Sequence, residues 1–245
     1  MTTYQQYYLE SLYPFQNEII QIVNGRTDQF YLTGGTALSR GYLNHRYSDD
    51  LDFFTNNNPA FHKSCMAALE ALSEAGFDIK FEKNISSSFV REVIFSKNKN
   101  NPVSIQVDFV NDVEAHFGDV VNHPVLGRLD SLRNILSNKL CTVLSRSEAK
   151  DIADLWAICK RYEFSWDDVL AEASKKDGSI DSEIITSFLQ SLAENKFNEI
   201  HWSSKPPAFA DFMRDIDIVA KDMDGLNMNS LFQKKDLSRN RQKSR

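Results

Sequence analysis

GGTALSRGYLNHRYSDDLDFF, Gly34 to Phe54, is the stretch whose reading decides the fold. It follows a short apolar, β-prone run, Phe30 to Thr33, and opens on two glycines. A glycine pair directly after a strand lets the backbone turn sharply and come close to a ligand. Amides at such a turn, opening a helix, suit phosphate oxygens, and the following TALSRGYL has helical character. An ordinary turn would look the same, so the pair carries no conclusion alone. Further on, LDFFT reads as a strand, with Asp50 and Asp52 at i and i+2. In a strand such residues project from one face, while Leu51 and Phe53 point to the other. Two adjacent carboxylates repel unless a cation sits between them. Magnesium, a hard cation that takes oxygen ligands and substrate phosphates, is the natural occupant. The plain alternative is a solvated strand start built from Asp49, Asp50 and Asp52.

Outward from that stretch the pattern stays mixed. Pro59 to Ala75 reads as an amphipathic helix; Phe77 to Glu82, Phe89 to Ser96 and Val103 to Val110 read as strands. KNKNNP, between the last two, is a hairpin-like turn. Asp108 stands in IQVDFV, on the opposite strand face from Val107 and Phe109. A carboxylate in an otherwise apolar strand either needs a partner or is an exposed position. Upstream, residues 4–24 look helical in parts, with an interruption at Pro14.

From about Leu129 the pattern turns helical. Leu132, Ile135, Leu136, Leu140 and Val143 follow helical spacing, as do Ile152, Leu155, Trp156 and Cys159. Glu183 to Ala193 and Phe209 to Met223 read as further helices. The boundary falls between Pro124 and Asp130. On a helix over Ser131 to Ser145, Lys139 lies four residues from both Ile135 and Val143, beside the apolar stripe. A lysine there either snorkels to solvent or turns its charge toward an anion in a cleft.

The 245 residues are 42% hydrophobic and 25% charged, as expected of a globular chain with ample core. No run approaches the ~18 apolar residues that would span a membrane, and MTTYQQYYLE lacks the features of a secretory signal. Cys65, Cys141 and Cys159 have no zinc spacing and read as reduced thiols of a cytoplasmic protein. His45, His62, His116, His123 and His201 likewise show no metal spacing. The net charge of −6 argues against general nucleic-acid binding by the whole chain. The segment 233–245 differs: Lys234, Lys235, Arg239, Arg241, Lys243 and Arg245 face one acid, Asp236. It reads either as a solubilising tail or as an electrostatic arm for RNA or another polyanion.

Taken together, GGTALS at 34–39, HRYSDDLDFF at 45–54, the later Asp108 and NKLCTVLSRSEAKDIADL at 138–155 resemble the DNA polymerase beta-like nucleotidyltransferase superfamily. Within it the chain resembles the AbiEii/AbiGii-type nucleotidyltransferase toxin family, over Tyr31 to Cys159. The resemblance implies an α+β fold: a mixed-sheet nucleotidyltransferase domain over 1–127, a helical domain over 128–232 and the basic tail. It implies transfer of a nucleoside monophosphate from a nucleoside triphosphate to an acceptor hydroxyl, with release of pyrophosphate. Asp50, Asp52 and Asp108 would bind two magnesium ions, Asp108 also standing ready for the hydroxyl proton. Gly34, Gly35, Thr36 and Ser39 would cradle phosphates, and Arg46 and Ser48 would brace the loop or touch phosphate. Lys139 would neutralise the triphosphate, with Asp151 and Asp154 as further site residues.

The pattern has departures. Asn138 stands where an acid often precedes the lysine, Lys150 where an arginine often precedes the first helical aspartate, and Asp49 is an extra acid. The family role implied is a toxin with a cognate antitoxin protein, or a phage-defence component, acting on RNA such as tRNA or on a protein hydroxyl. Two alternatives stay open: a nucleotidyltransferase that modifies a small-molecule antibiotic, and a catalytically idle binding module.

Overall fold

The computed structural model describes residues 3–98, 102–146 and 148–232. The basic segment 233–245 and most of the KNKNNP turn lie outside the described residues. Two compact units are present: one runs to Ile135 and takes in His201–Ser204, the other comprises Leu136–Ile200 and the chain from Lys205. The expected boundary at 127 thus differs from the observed division, because the sheet continues beyond it.

In the first unit, α1 (Thr3–Tyr7) leads through a π-helical turn (Tyr8–Leu12) into α2 (Tyr13–Arg26). Pro14 does not interrupt this helix, as the sequence suggested. It stands in the first turn of α2, where a missing N–H costs least, just after the wider π turn. β1 (Tyr31–Thr33), a helical turn α3 (Gly34–Thr36) and a π-helical stretch (Ala37–Leu43) follow. Then come β2 (Leu51–Asn56), α4 (Phe61–Glu74), β3 (Asp78–Ile85), β4 (Phe89–Phe95), β5 (Ser104–Asp112), β6 (Val121–His123) and β7 (Gly127–Leu129). The seven strands form one sheet in the order β3-β4-β5-β2-β1-β7-β6, with β1/β7 and β2/β5 parallel and the other pairs antiparallel. The sheet is therefore mixed, as expected.

Alternation sorts the two faces. Leu51 and Phe53 of β2, Val107 and Phe109 of β5, and Val90 and Ile94 of β4 are buried. Phe53 stacks on Phe109 at 5.5 Å between ring centroids, and Phe30 bridges Phe109 to Phe61 of α4. Phe15, Ile19, Ile20 and Val23 of α2 are buried as well, and α2 packs on α4. Each such side chain contributes roughly 1.5–3 kcal/mol on burial, so this face anchors the unit. The opposite face, with Asp52, Phe54, Arg91 and Gln106, is only half-buried.

The second unit is helical, drawing in most of α5 (Leu132–Arg146), then α6 (Ala149–Arg161), α7 (Trp166–Lys176), α8 (Ser182–Gln190), α9 (Glu194–Phe197) and α10 (Phe209–Asp224). Ser165 caps α7 and Asp181 caps α8, each satisfying amides that the first helical turn leaves open. Phe212 of α10 packs between Trp156 and Phe197, while Asp215 accepts from the Trp156 indole at 2.8 Å. Among the described residues no helix is long and apolar enough to cross a membrane.

Candidate active site

The strand register builds the acidic site. Thr33 pairs with Asp52, Asp52 with Asp108 and Asp108 with Arg91, a row across β1, β2, β5 and β4 on the half-buried face. Asp108 is 7% exposed and Asp52 half-buried. Arg91 grips Asp108 in fork geometry, Nε to Oδ1 at 2.8 Å and Nη2 to Oδ2 at 2.7 Å, and Gln106 adds a bond of 3.3 Å to Oδ2. A carboxylate accepts at about four positions, so one remains on Asp108.

The glycine pair has a structural reason of its own. Gly34 has φ +68°, and a Cβ there would run into the Asp52 carboxylate. A Cβ on Gly35 would meet Arg46 Nη2 at 2.6 Å and Ser48 Oγ at 2.9 Å. The turn is thus bare because the side chains of Arg46, Ser48 and Asp52 pack directly against it. Thr36 and Ser39 are buried, and their hydroxyls donate to backbone: Thr36 to the Asp50 carbonyl at 2.5 Å, Ser39 to the Arg46 carbonyl. Expected among the phosphate contacts, both hydroxyls serve in this structure to hold the loop before Asp50.

That loop is bound along its whole length. The His45 carbonyl accepts from the Ser203 amide, and the Tyr47 carbonyl from Arg46 Nη1 at 2.9 Å. The Ser48 and Asp49 carbonyls both accept from Gln16 Nε2, at 3.1 and 2.9 Å. With Ser39 and Thr36, six consecutive carbonyls, His45 to Asp50, each have a donor. Arg46 also bridges Trp202 in antiparallel fashion, and Tyr47 donates its amide to the His201 carbonyl. Asp49, the extra acid, accepts from the Tyr8 hydroxyl at 2.5 Å. Burial, then that carboxylate, push the Tyr8 phenol well above its usual range, so it stays a donor.

In the helical unit, Lys139 is 5% exposed. Its ammonium lies 2.9 Å from Asp151 and 2.5 Å from Asp154, both fully buried. Arg146 adds two bonds to Asp151, at 2.9 and 3.2 Å. Burial would raise the Asp151 carboxyl, but Lys139 and Arg146 outweigh it and hold the group below its ordinary value. Lys139 therefore neither snorkels nor stands open, and Asp151 is no surface partner of Lys150, which pairs with Glu148.

The donors suit magnesium in chemistry: hard carboxylate oxygens, two of them on register-paired residues. Among the described residues no three metal-donor side chains close into a ready cluster. Magnesium tolerates that, since it takes one or two carboxylates and fills its shell with water and phosphate oxygens.

Three contributors escaped the sequence reading. Gln16 had a legible signal, a polar residue beside Phe15, Ile19, Ile20 and Val23 on the buried stripe of α2. Arg91 and Tyr8 had none, because their partners are fixed by strand register and by the return of the chain at His201. Cys65, Cys141 and Cys159 form no disulfide, and Cys65 is pushed up to about 12 by burial.

None of the curated proteins matches the chain. Among solved structures it is similar to JHP933 from Helicobacter pylori, with TM-score 0.58 and 22% identity over 89% of this chain and 94% of that one. It is also similar to MenT4, a nucleotidyltransferase toxin from Mycobacterium tuberculosis H37Rv, with TM-score 0.56 and 13% identity over 97% of this chain and 88% of that one. At these identities the likeness is one of fold. Residues 23–234 match the family model described as nucleotidyl transferase AbiEii toxin, type IV TA system. Because that match spans most of the chain, from within α2 to beyond α10, the chain belongs to the AbiEii nucleotidyltransferase toxin family.

Proposed function

We propose that this chain moves a nucleoside monophosphate from a nucleoside triphosphate to an acceptor hydroxyl on RNA such as tRNA, as the toxin of a pair with a cognate antitoxin protein. The observation that carries the reading is the pairing of Asp52 with Asp108, beside a glycine turn and behind a loop whose carbonyls are all held. Asp50, Asp52 and Asp108 would hold magnesium, which supplies charge neutralisation at the triphosphate and lowers the pKa of the acceptor hydroxyl. The acceptor oxygen bonds to the α-phosphorus as the bond to the bridging oxygen breaks, and pyrophosphate leaves. The hydroxyl proton passes to solvent water at the half-buried face, because the acceptor position left on Asp108 would be taken by magnesium. Amides of the Gly34–Gly35 turn approach the phosphates, while Thr36, Ser39, Arg46 and Ser48 keep the loop in place. Lys139, gripped by Asp151 and Asp154, orders α5 against α6. Cysteines that form no disulfide suit the reducing cytoplasm as the setting.

The test is incubation of the full chain with each labelled nucleoside triphosphate and total cellular RNA, with and without magnesium, beside Asp52→Ala. Label in RNA that needs both magnesium and Asp52 is the expected result. Label only in protein, or only in an added aminoglycoside, would replace RNA as the acceptor. No transfer under any condition would sink the enzymatic reading. A chain ending before Gln233, assayed for RNA binding at several salt concentrations, should show a flatter salt slope if the basic segment engages the acceptor.

A further inference from the structure

The segment from His45 to Asp50 is irregular, yet it must deliver Asp50 to a defined place. A metal-binding carboxylate has to be held to within roughly 0.5 Å to be useful, which a loop achieves only through the groups around it. Five side-chain bonds reach its carbonyls, and two of them come from one residue, Gln16. Gln16 precedes the family-matched region, which begins at residue 23.

Its carboxamide is fully buried, with both N–H donors and the oxygen engaged. The nitrogen donates to the Ser48 and Asp49 carbonyls, and the oxygen accepts from Arg40 Nη1 at 2.8 Å. Two acceptors on one end and a guanidinium on the other fix which way the amide points. Arg40 is itself anchored by Asn17 at 2.5 Å and by the Tyr13 ring, 4.3 Å from the guanidinium carbon. Nearby, Tyr8 stacks on Tyr47 at 4.5 Å, engages Asp49 and lies 2.9 Å from His201 Nδ1. The extra acid is thereby occupied, and Asp50 is the next residue along.

We propose that Gln16 is a positioning residue for metal binding: its carboxamide clamps the Ser48–Asp49 backbone and so sets the direction of the Asp50 carboxylate, with Tyr8 holding Asp49. The inference rests on the reading of Asp50 as a metal ligand. It predicts that residues remote from the phosphates control metal affinity while leaving nucleotide recognition alone.

The test uses full-length Gln16→Met, which keeps the shape of the side chain, and Gln16→Glu, which keeps Arg40 paired but removes both donated bonds. Tyr8→Phe and Asp50→Asn accompany them. Mn2+ binding is read from the electron paramagnetic resonance signal of the free ion, folding from thermal unfolding, and transfer as kcat and nucleotide KM separately. Loss of groups that orient metal ligands typically weakens metal binding about 10- to 100-fold, and about 10-fold is expected for a folded Gln16 variant, with kcat lowered and KM unchanged. Tyr8→Phe should show a smaller loss of the same kind. Parental Mn2+ affinity in folded Gln16 variants, with Asp50→Asn defective, overturns the positioning role and leaves the Asp50 reading standing. Parental affinity and transfer in Asp50→Asn removes the reading and the inference with it. If neither Gln16 variant folds, the residue is structural and the proposal fails.

Discussion

The two acidic clusters of this molecule solve opposite problems. In the helical unit, Asp151 and Asp154 are fully buried, and two cations, Lys139 and Arg146, meet them directly. In the α/β unit, Asp52 and Asp108 stand side by side on a half-buried sheet face, and Arg91 brings its guanidinium to Asp108. A buried carboxylate must be matched by charge within the fold, because nothing from solvent reaches it. A carboxylate on a half-open face can be matched by something that comes and goes. The lesson is that a cluster of acids is not a site by its acidity; what distinguishes the two is that Asp151 and Asp154 are both sealed in with their cations, whereas Asp52 is only half-buried at the sheet face.

That comparison can be broken most forcefully at Asp52. Asp52→Ala should bring nucleotide transfer to background while thermal unfolding stays close to the parent, since Asp52 is only half-buried at the sheet face. Transfer near the parental level in the presence of magnesium would mean that the open cluster is not the catalytic one.

Lys139→Met probes the closed cluster. It strands two buried carboxylates, and removing one partner of a buried pair costs about 3–5 kcal/mol, read as a large fall in the unfolding temperature. Parental stability together with weaker nucleotide binding would instead make Lys139 a phosphate contact. The same cluster has a pH signature. The folded Asp151 carboxyl titrates below its ordinary value, so its stabilising effect is complete above the usual carboxylate range, about pH 4, and fades as the pH falls below it. Unfolding temperatures from pH 7 down to pH 3 should fall in the parent, with the Asp151 share of that slope absent from Asp151→Asn. An unchanged slope in the variant would remove Asp151 from the acid response.

Gly34→Ala should cost less stability than Lys139→Met, roughly 1–2 kcal/mol for an alanine at positive φ. Its new Cβ presses on the Asp52 carboxylate, so metal binding should fall as well. A variant with normal Mn2+ affinity would show that the turn and the carboxylate are independent.

Much of this was legible in order along the chain. Alternation alone put Asp52 opposite Leu51 and Phe53, and Asp108 opposite Val107 and Phe109, because a strand's period of two is a local property; Asp50, expected on the same strand face as Asp52, lies instead in the loop just before β2. Helical periodicity singled out Lys139 as a charge on an apolar stripe. The three-residue strands β6 and β7, around Pro124, were too short to carry a pattern.

What the sequence by itself determined is the kind of chemistry: the residue types, their faces and the family they belong to. Only the tertiary structure decided how they are used. Register brought Arg91 to Asp108, folding back at His201–Ser204 closed the loop before Asp50, and α2 carried Gln16 to that loop's carbonyls. It also turned Lys139 inward to Asp151 and Asp154. The physical reason is that periodicity is written in neighbours along the chain, whereas pairing between distant segments follows from which buried polar groups can satisfy one another.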